Sequence, residues 1–107
     1  MKLIIAIVHR DDTNRVTESL SRQGFSSTRL STTGGYLRTG NATILTGVEE
    51  EKVQEAIDII KAHSHARTQI ASVPTEMGYG YYPTMPVEVT VGGATIFVVD
   101  VERFERA

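Results

Sequence analysis

The chain has 107 residues, 40% of them hydrophobic and 22% charged, with a formal net charge of -2 and no cysteine. That length and mixture specify a single globular domain spanning residues 1–107 and exclude a disordered chain. The slight negative charge argues against broad binding to nucleic acid or anionic membrane, and the lack of cysteine excludes disulfides, a thiol nucleophile and thiolate metal sites.

Leu3 to Val8 is an uninterrupted β-prone run, the pattern of a strand buried on both faces. Its six apolar residues are fewer than the ~7–15 of a secretory leader. The charged His9-Arg10-Asp11-Asp12 follows at once, so the run predicts a strand in a cytoplasmic protein. Asp11 and Asp12 can cap a helix on which Val16 and Leu20 lie one turn apart and which Gly24 ends. A second strand is predicted from Phe25 to about Thr32, with Ser26, Thr28, Leu30 and Thr32 on one face.

Residues 32–48 then form the most informative stretch, Thr-Thr-Gly-Gly-Tyr-Leu-Arg-Thr-Gly-Asn-Ala-Thr-Ile-Leu-Thr-Gly-Val. A hairpin needs one or two turn residues, and this connector holds several before a third strand, Ala42 to Val48. Gly34 and Gly35 allow the backbone to turn and bring bare amides close to a guest. Tyr36 offers a flat ring and Asn41 a paired donor and acceptor, a set suited to a nucleotide, although spacing alone favours a glycine-rich hairpin without a ligand. A P-loop is excluded: Gly35 and Gly40 have its spacing, but Asn41 replaces the lysine, Ala42 the hydroxyl, and a strand follows instead of a helix.

Glu49 to Glu51 open a second helix, complementing its N-terminal dipole, and Val53, Ile57 and Ile60 form its apolar stripe. His63 and His65, near its end, are two residues apart and point to different sides, which predicts solvated histidines and no metal site. Ser72 to Pro86 holds all three prolines with Tyr79, Tyr81 and Tyr82, and predicts a long functional loop. Those tyrosines suit a recognition surface and hydrophobic anchoring equally. Val87, Val89 and Val91 alternate with polar residues, and Gly92-Gly93 predicts a tight hairpin into a last strand, Ala94 to Val101.

The predicted order gives an α+β, ferredoxin-like βαββαβ sandwich with a long loop before a C-terminal hairpin. Two helices cover only one sheet face, yet the first strand is apolar on both faces and the last carries Ile96, Phe97, Val98 and Val99 in succession. Self-association is the simplest cover for the other face. No Gly-x-Ser-x-Gly elbow and no nucleophile–base pair stands out, so the chain reads as a non-enzyme.

These features together resemble one family, the PII-like cyclic di-AMP receptors. The resemblance runs through Met1 to Val8, Thr28, residues 30–38, Gly40-Asn41, Thr43 and Gly47-Val48, then through Pro86 to Val89 and Val91 to Val98. It implies a homotrimer with three equivalent pockets at the subunit boundaries, each holding one cyclic di-AMP, with no further cofactor and no metal. The positions matching the family's ligand residues are Thr28, Gly35, Tyr36, Leu37, Asn41 and Gly47. An amide such as that of Asn41 can pair with an adenine edge, and Tyr36 and Leu37 give base-stacking surface.

Two positions depart from the family. Ser26 stands where members often carry arginine, and Tyr36 where they often carry phenylalanine. The first removes a cation from beside an anionic ligand and predicts weaker binding than in arginine-bearing relatives. The expected function is signal transduction: ligand binding orders residues 72–86 and the glycine-rich connector and alters the surface offered to a partner protein. Two rival readings remain, a PII-like sensor of another adenine nucleotide and an interaction trimer without a ligand.

Overall fold

The computed structural model of the chain describes residues 1–30, 40–73 and 85–107. Six strands and two helices follow in the order β1 (Lys2–His9), α1 (Thr13–Arg22), β2 (Thr28–Leu30), β3 (Asn41–Val48), α2 (Val53–Ser64), β4 (Arg67–Val73), β5 (Met85–Val91) and β6 (Ala94–Asp100). A single 3-10 turn leads into each helix, Arg10–Asp12 before α1 and Glu50–Lys52 before α2. The main sheet has the strand order β2-β3-β1-β6 and is antiparallel at every pairing. That is the ferredoxin-like arrangement expected from the sequence: each helix crosses over one intervening strand.

Side-chain alternation divides the sheet into two unlike faces. Ile4, Ala6 and Val8 of β1 and Ile44 and Val48 of β3 pack against Val16 and Leu20 of α1 and against Ala56 and Ile60 of α2. This is the core. The other residues of the same strands (Leu3, Ile5 and Ile7, in register with Val99, Phe97 and Thr95) point away from the helices. Leu30, Phe97 and Val99 on that side are 38%, 45% and 42% exposed. The open apolar face inferred from the sequence is therefore present.

Helix α1 ends as its sequence predicts. Gly24 has φ +86 just beyond it, and Phe25 N–H bonds Leu20 O at 2.9 Å. That left-handed glycine closes the helix and turns Phe25 back against the core. The start of α1 differs from expectation. His9 Nδ1 accepts from Asp11 N–H at 3.1 Å, capping the 3-10 turn, while Asp12 makes no capping bond. Its buried carboxylate is taken instead by Arg67, in a two-pronged contact of 2.9 and 3.2 Å, and by Arg15. A bidentate charged partner outcompetes a backbone amide.

Three further expectations change. The second strand starts later than predicted, at Thr28; before it, Ser26 O is held by the Thr46 hydroxyl at 2.6 Å and not by a ladder, and the predicted end at Thr32 lies outside the described residues. Residues Arg67–Val73, assigned to no element by sequence pattern, form β4 and pair along their whole length with β5. The ends of the predicted loop are thereby paired, Ser72 with Pro86 and Val73 with Met85, and residues 74–84 lie outside the described residues. Finally, Gly92-Gly93 does make a tight turn, with φ +85 and +84, but β5 and β6 belong to different sheets. Each strand pairs elsewhere, β5 with β4 and β6 with the edge of β1, so the turn joins two sheets instead of closing a hairpin.

The base of the β4–β5 ribbon meets the body at this turn. A Cβ on Gly92 would stand 2.7 Å from Arg67 Nη1 and 2.7 Å from His65 O. Only glycine fits there, on both conformational and steric grounds. The Arg67–Asp12 pair beneath it fastens the ribbon to the start of α1.

Candidate functional site

The open face of the main sheet runs the length of β3, and the predicted binding residues fall at its two ends. Gly47 is in register with Leu3 at the start of β1, whereas Asn41 is in register with His9 at its end. Six residue steps along the strand separate them, about 20 Å at roughly 3.4 Å per residue. Thr28 stands opposite Leu45 and so joins the Gly47 end. The structure brings Thr28 and Gly47 together and does not bring Asn41 to them. Gly35, Tyr36 and Leu37 lie outside the described residues.

At the Gly47 end the open face carries a cavity of about 470 Å³. Leu3, Leu45 and Gly47 line it from β1 and β3, and Ser26 and Thr28 from the segment entering β2. Its size falls within the ~300–1,000 Å³ of small-molecule sites. The hydrogen bond from Thr46 to Ser26 O positions the hydroxyl-bearing wall, because it ties that segment to β3. Gly47 has no positive φ, and a Cβ there would make only an ordinary 3.8 Å contact with Met1 Sδ. Neither backbone conformation nor packing within the subunit requires this glycine. Its missing side chain leaves open space on the open face.

The remaining wall comes from residues that sequence reasoning did not select. Val101, Phe104 and Arg106, in the segment after β6, close the cavity on the side away from Ser26. This tail starts from a fixed point: Val101 N–H bonds Met1 O at 3.2 Å, and Lys2 pairs with Asp100 across the β1–β6 edge. The hydrogen bond to Asp100 raises the Lys2 pKa, and Lys2 in turn lowers that of Asp100. The signal available in the sequence was a single aromatic, Phe104, set among the charged residues of the last stretch.

No carboxylate or imidazole lines this cavity among the described residues. The arrangement can hold a ligand through hydroxyls, backbone, a ring and a guanidinium. A second cavity, about 450 Å³ between the helices, is lined by Glu55, Asp58, His63 and Arg22, and its carboxylates disfavour an anion. His63 Nε2 there lies 3.0 Å from Ser19 Oγ, linking the two helices. At the Asn41 end, Thr43 Oγ1 is buried on the open face with no partner among the described residues.

Comparison with known proteins points the same way. The chain matches, over residues 1–107, the family described as "Cyclic-di-AMP receptor". It also resembles the crystal structure of a functionally unknown protein from Pediococcus pentosaceus ATCC 25745. That match has a TM-score of 0.75 at 42% identity, covering 99% of this chain and 96% of the other.

Proposed function

We propose, from the premise that this chain belongs to the cyclic-di-AMP receptor family, that it is a cytoplasmic signal-transduction protein, one domain per subunit, that binds cyclic di-AMP at the subunit boundaries of a homotrimer. The family's members are non-catalytic binding proteins. Ligand binding orders residues 72–86 and the glycine-rich connector, and so changes the surface offered to a partner protein. Such a switch requires the ligand to bind one loop state better than the other, which a pocket built partly from those segments provides.

The observation that carries this reading is the division of the site. Thr28 and Gly47 lie at one end of the open face and Asn41 at the other, too far apart for one small ligand within a subunit. The apolar residues between them, Leu30, Phe97 and Val99 among them, need a cover. A second copy laid on this face both buries those residues and brings its Asn41 end to its neighbour's Gly47 end.

Subunit complementation tests it. Asn41→Ala removes the adenine partner and costs about 1–3 kcal/mol of binding, roughly ten- to a hundredfold. Gly47→Val fills the cavity at the other end. Each variant alone is expected to lose cyclic di-AMP binding in calorimetry. Mixed and reassembled, the two should recover it, because some boundaries then pair an intact Asn41 with an intact Gly47. If the mixture stays silent, the pocket lies within one subunit. Full affinity in Asn41→Ala would mean that Asn41 serves the fold and not the ligand, and failure of the natural protein to bind cyclic di-AMP beside other adenine nucleotides would assign a different ligand.

A further inference from the structure

Resting on that reading, we infer that the C-terminal segment is part of the nucleotide site and that Arg106 is its phosphate-binding cation, with Phe104 as a base-stacking ring. A cyclic dinucleotide presents two phosphodiester anions and two flat bases, so its site needs at least one cation and some ring or aliphatic surface. Among the described side chains lining the cavity that holds Thr28 and Gly47, only that of Arg106 is charged. A guanidinium suits the task because its planar fork binds two phosphate oxygens at once.

The other arginines near this end are disposed differently. Arg29, the neighbour of Thr28 on β2, is in register with Ile44 and so faces the helix-covered side of the sheet. Arg103, on the same tail, is engaged by Glu105 through Nη2 at 2.6 Å and Nε at 3.2 Å. Arg106 makes no ion pair with a described residue, and its charge is available to a ligand. Phe104 is 62% exposed, a large apolar surface left uncovered within the tail yet placed in the cavity wall. A ring so placed has little to gain from the subunit's own core and much from a base laid against it. The tail is fastened where it begins, through Val101 and Asp100, so Phe104 and Arg106 are carried on a short, tethered segment.

Calorimetric titration of the full chain with cyclic di-AMP at low and at physiological salt separates the possibilities. Arg106→Gln is expected to weaken binding about tenfold or more at low salt and to lose most of the salt dependence, since screening acts on the charge contact. Arg106→Lys should restore the salt dependence and part of the affinity. Phe104→Ala should weaken binding by a similar factor at both salt levels, because stacking is not an ionic contact. Both side chains are exposed, so the melting temperatures of the unliganded variants should match the natural protein. Equal affinity and equal salt dependence in Arg106→Gln would overturn this inference while leaving the receptor reading intact. Absence of cyclic di-AMP binding by the natural protein would overturn both.

Discussion

The two faces of the main sheet are built from alternate residues of the same strands, yet they answer to different demands. Ile4, Ala6, Val8 and Ile44 are fully or almost fully buried beneath the helices. One step along each strand, Leu3, Ile5, Phe97 and Val99 are equally apolar and face outward. Composition alone does not separate them. What separates them is whether the subunit supplies its own cover. The covered face decides whether the chain folds; the open face decides what the folded chain meets.

Substitutions chosen by face can break this division or sharpen it. The largest effect is expected from Ile44→Ala, which leaves a hole in the helix-covered core and should cost about 2–5 kcal/mol of folding stability. Denaturant titration reads it directly, and a loss below about 1 kcal/mol would mean the core relaxes around the gap. Phe97→Glu is the matching change on the other face. It should leave each subunit folded by circular dichroism and abolish self-association in light scattering. A trimer that survives a carboxylate at this position does not use the open face.

Smaller effects come from groups outside both faces. Asp12→Asn removes the charged anchor of the ribbon, and with Arg67 and Arg15 partly exposed a loss of roughly 1–2 kcal/mol is expected at about pH 7. Burial pushes the Asp12 carboxyl upward, but the hydrogen bonds and charges of Arg67 and Arg15 outweigh it and hold the group below its ordinary value of 3.8. Its contribution is therefore complete above that value and is lost as pH falls through the lower folded-state value. The difference between the natural protein and Asp12→Asn should shrink in acid, and a constant difference would show that packing and not charge is at stake. The smallest change in stability belongs to Gly47→Val, within about 0.5 kcal/mol, since among the described residues a Cβ there meets only Met1 Sδ, at an ordinary 3.8 Å. A marked destabilisation would show that Gly47 is a folding residue after all.

The division also marks what the sequence revealed. Elements made by local pattern were legible: the apolar run of β1, the Val16–Leu20 spacing, the stripe of α2 and the glycine stop at Gly24 all carry their cause within a few residues. Elements defined by a distant partner were not. Arg67–Val73 has no clean alternation, and its partner β5 lies beyond residues 74–84. Gly92-Gly93 announces a turn but not which neighbours its strands choose. Asp12 looked like a helix cap because its true partner is fifty-five residues away. Of the proposed site, Thr28, Asn41 and Gly47 came from family resemblance and the glycine-rich context. Phe104 and Arg106, which line the cavity, were not selected, for the tail has no periodicity and gains neighbours only when folded against β1 and β3.

The mounting of the β4–β5 ribbon has a mechanical consequence. A single flexible joint would let a two-stranded arm swing freely and forget what happened at its tip. Here the base is pinned at two places, the Gly92 turn and the Arg67–Asp12 fork, on neighbouring strands. Seven paired rungs stand on those pins as a lever on a bracket. The two pins tie the direction of the arm to the 3-10 turn that leads into α1, so the two are expected to move as one piece.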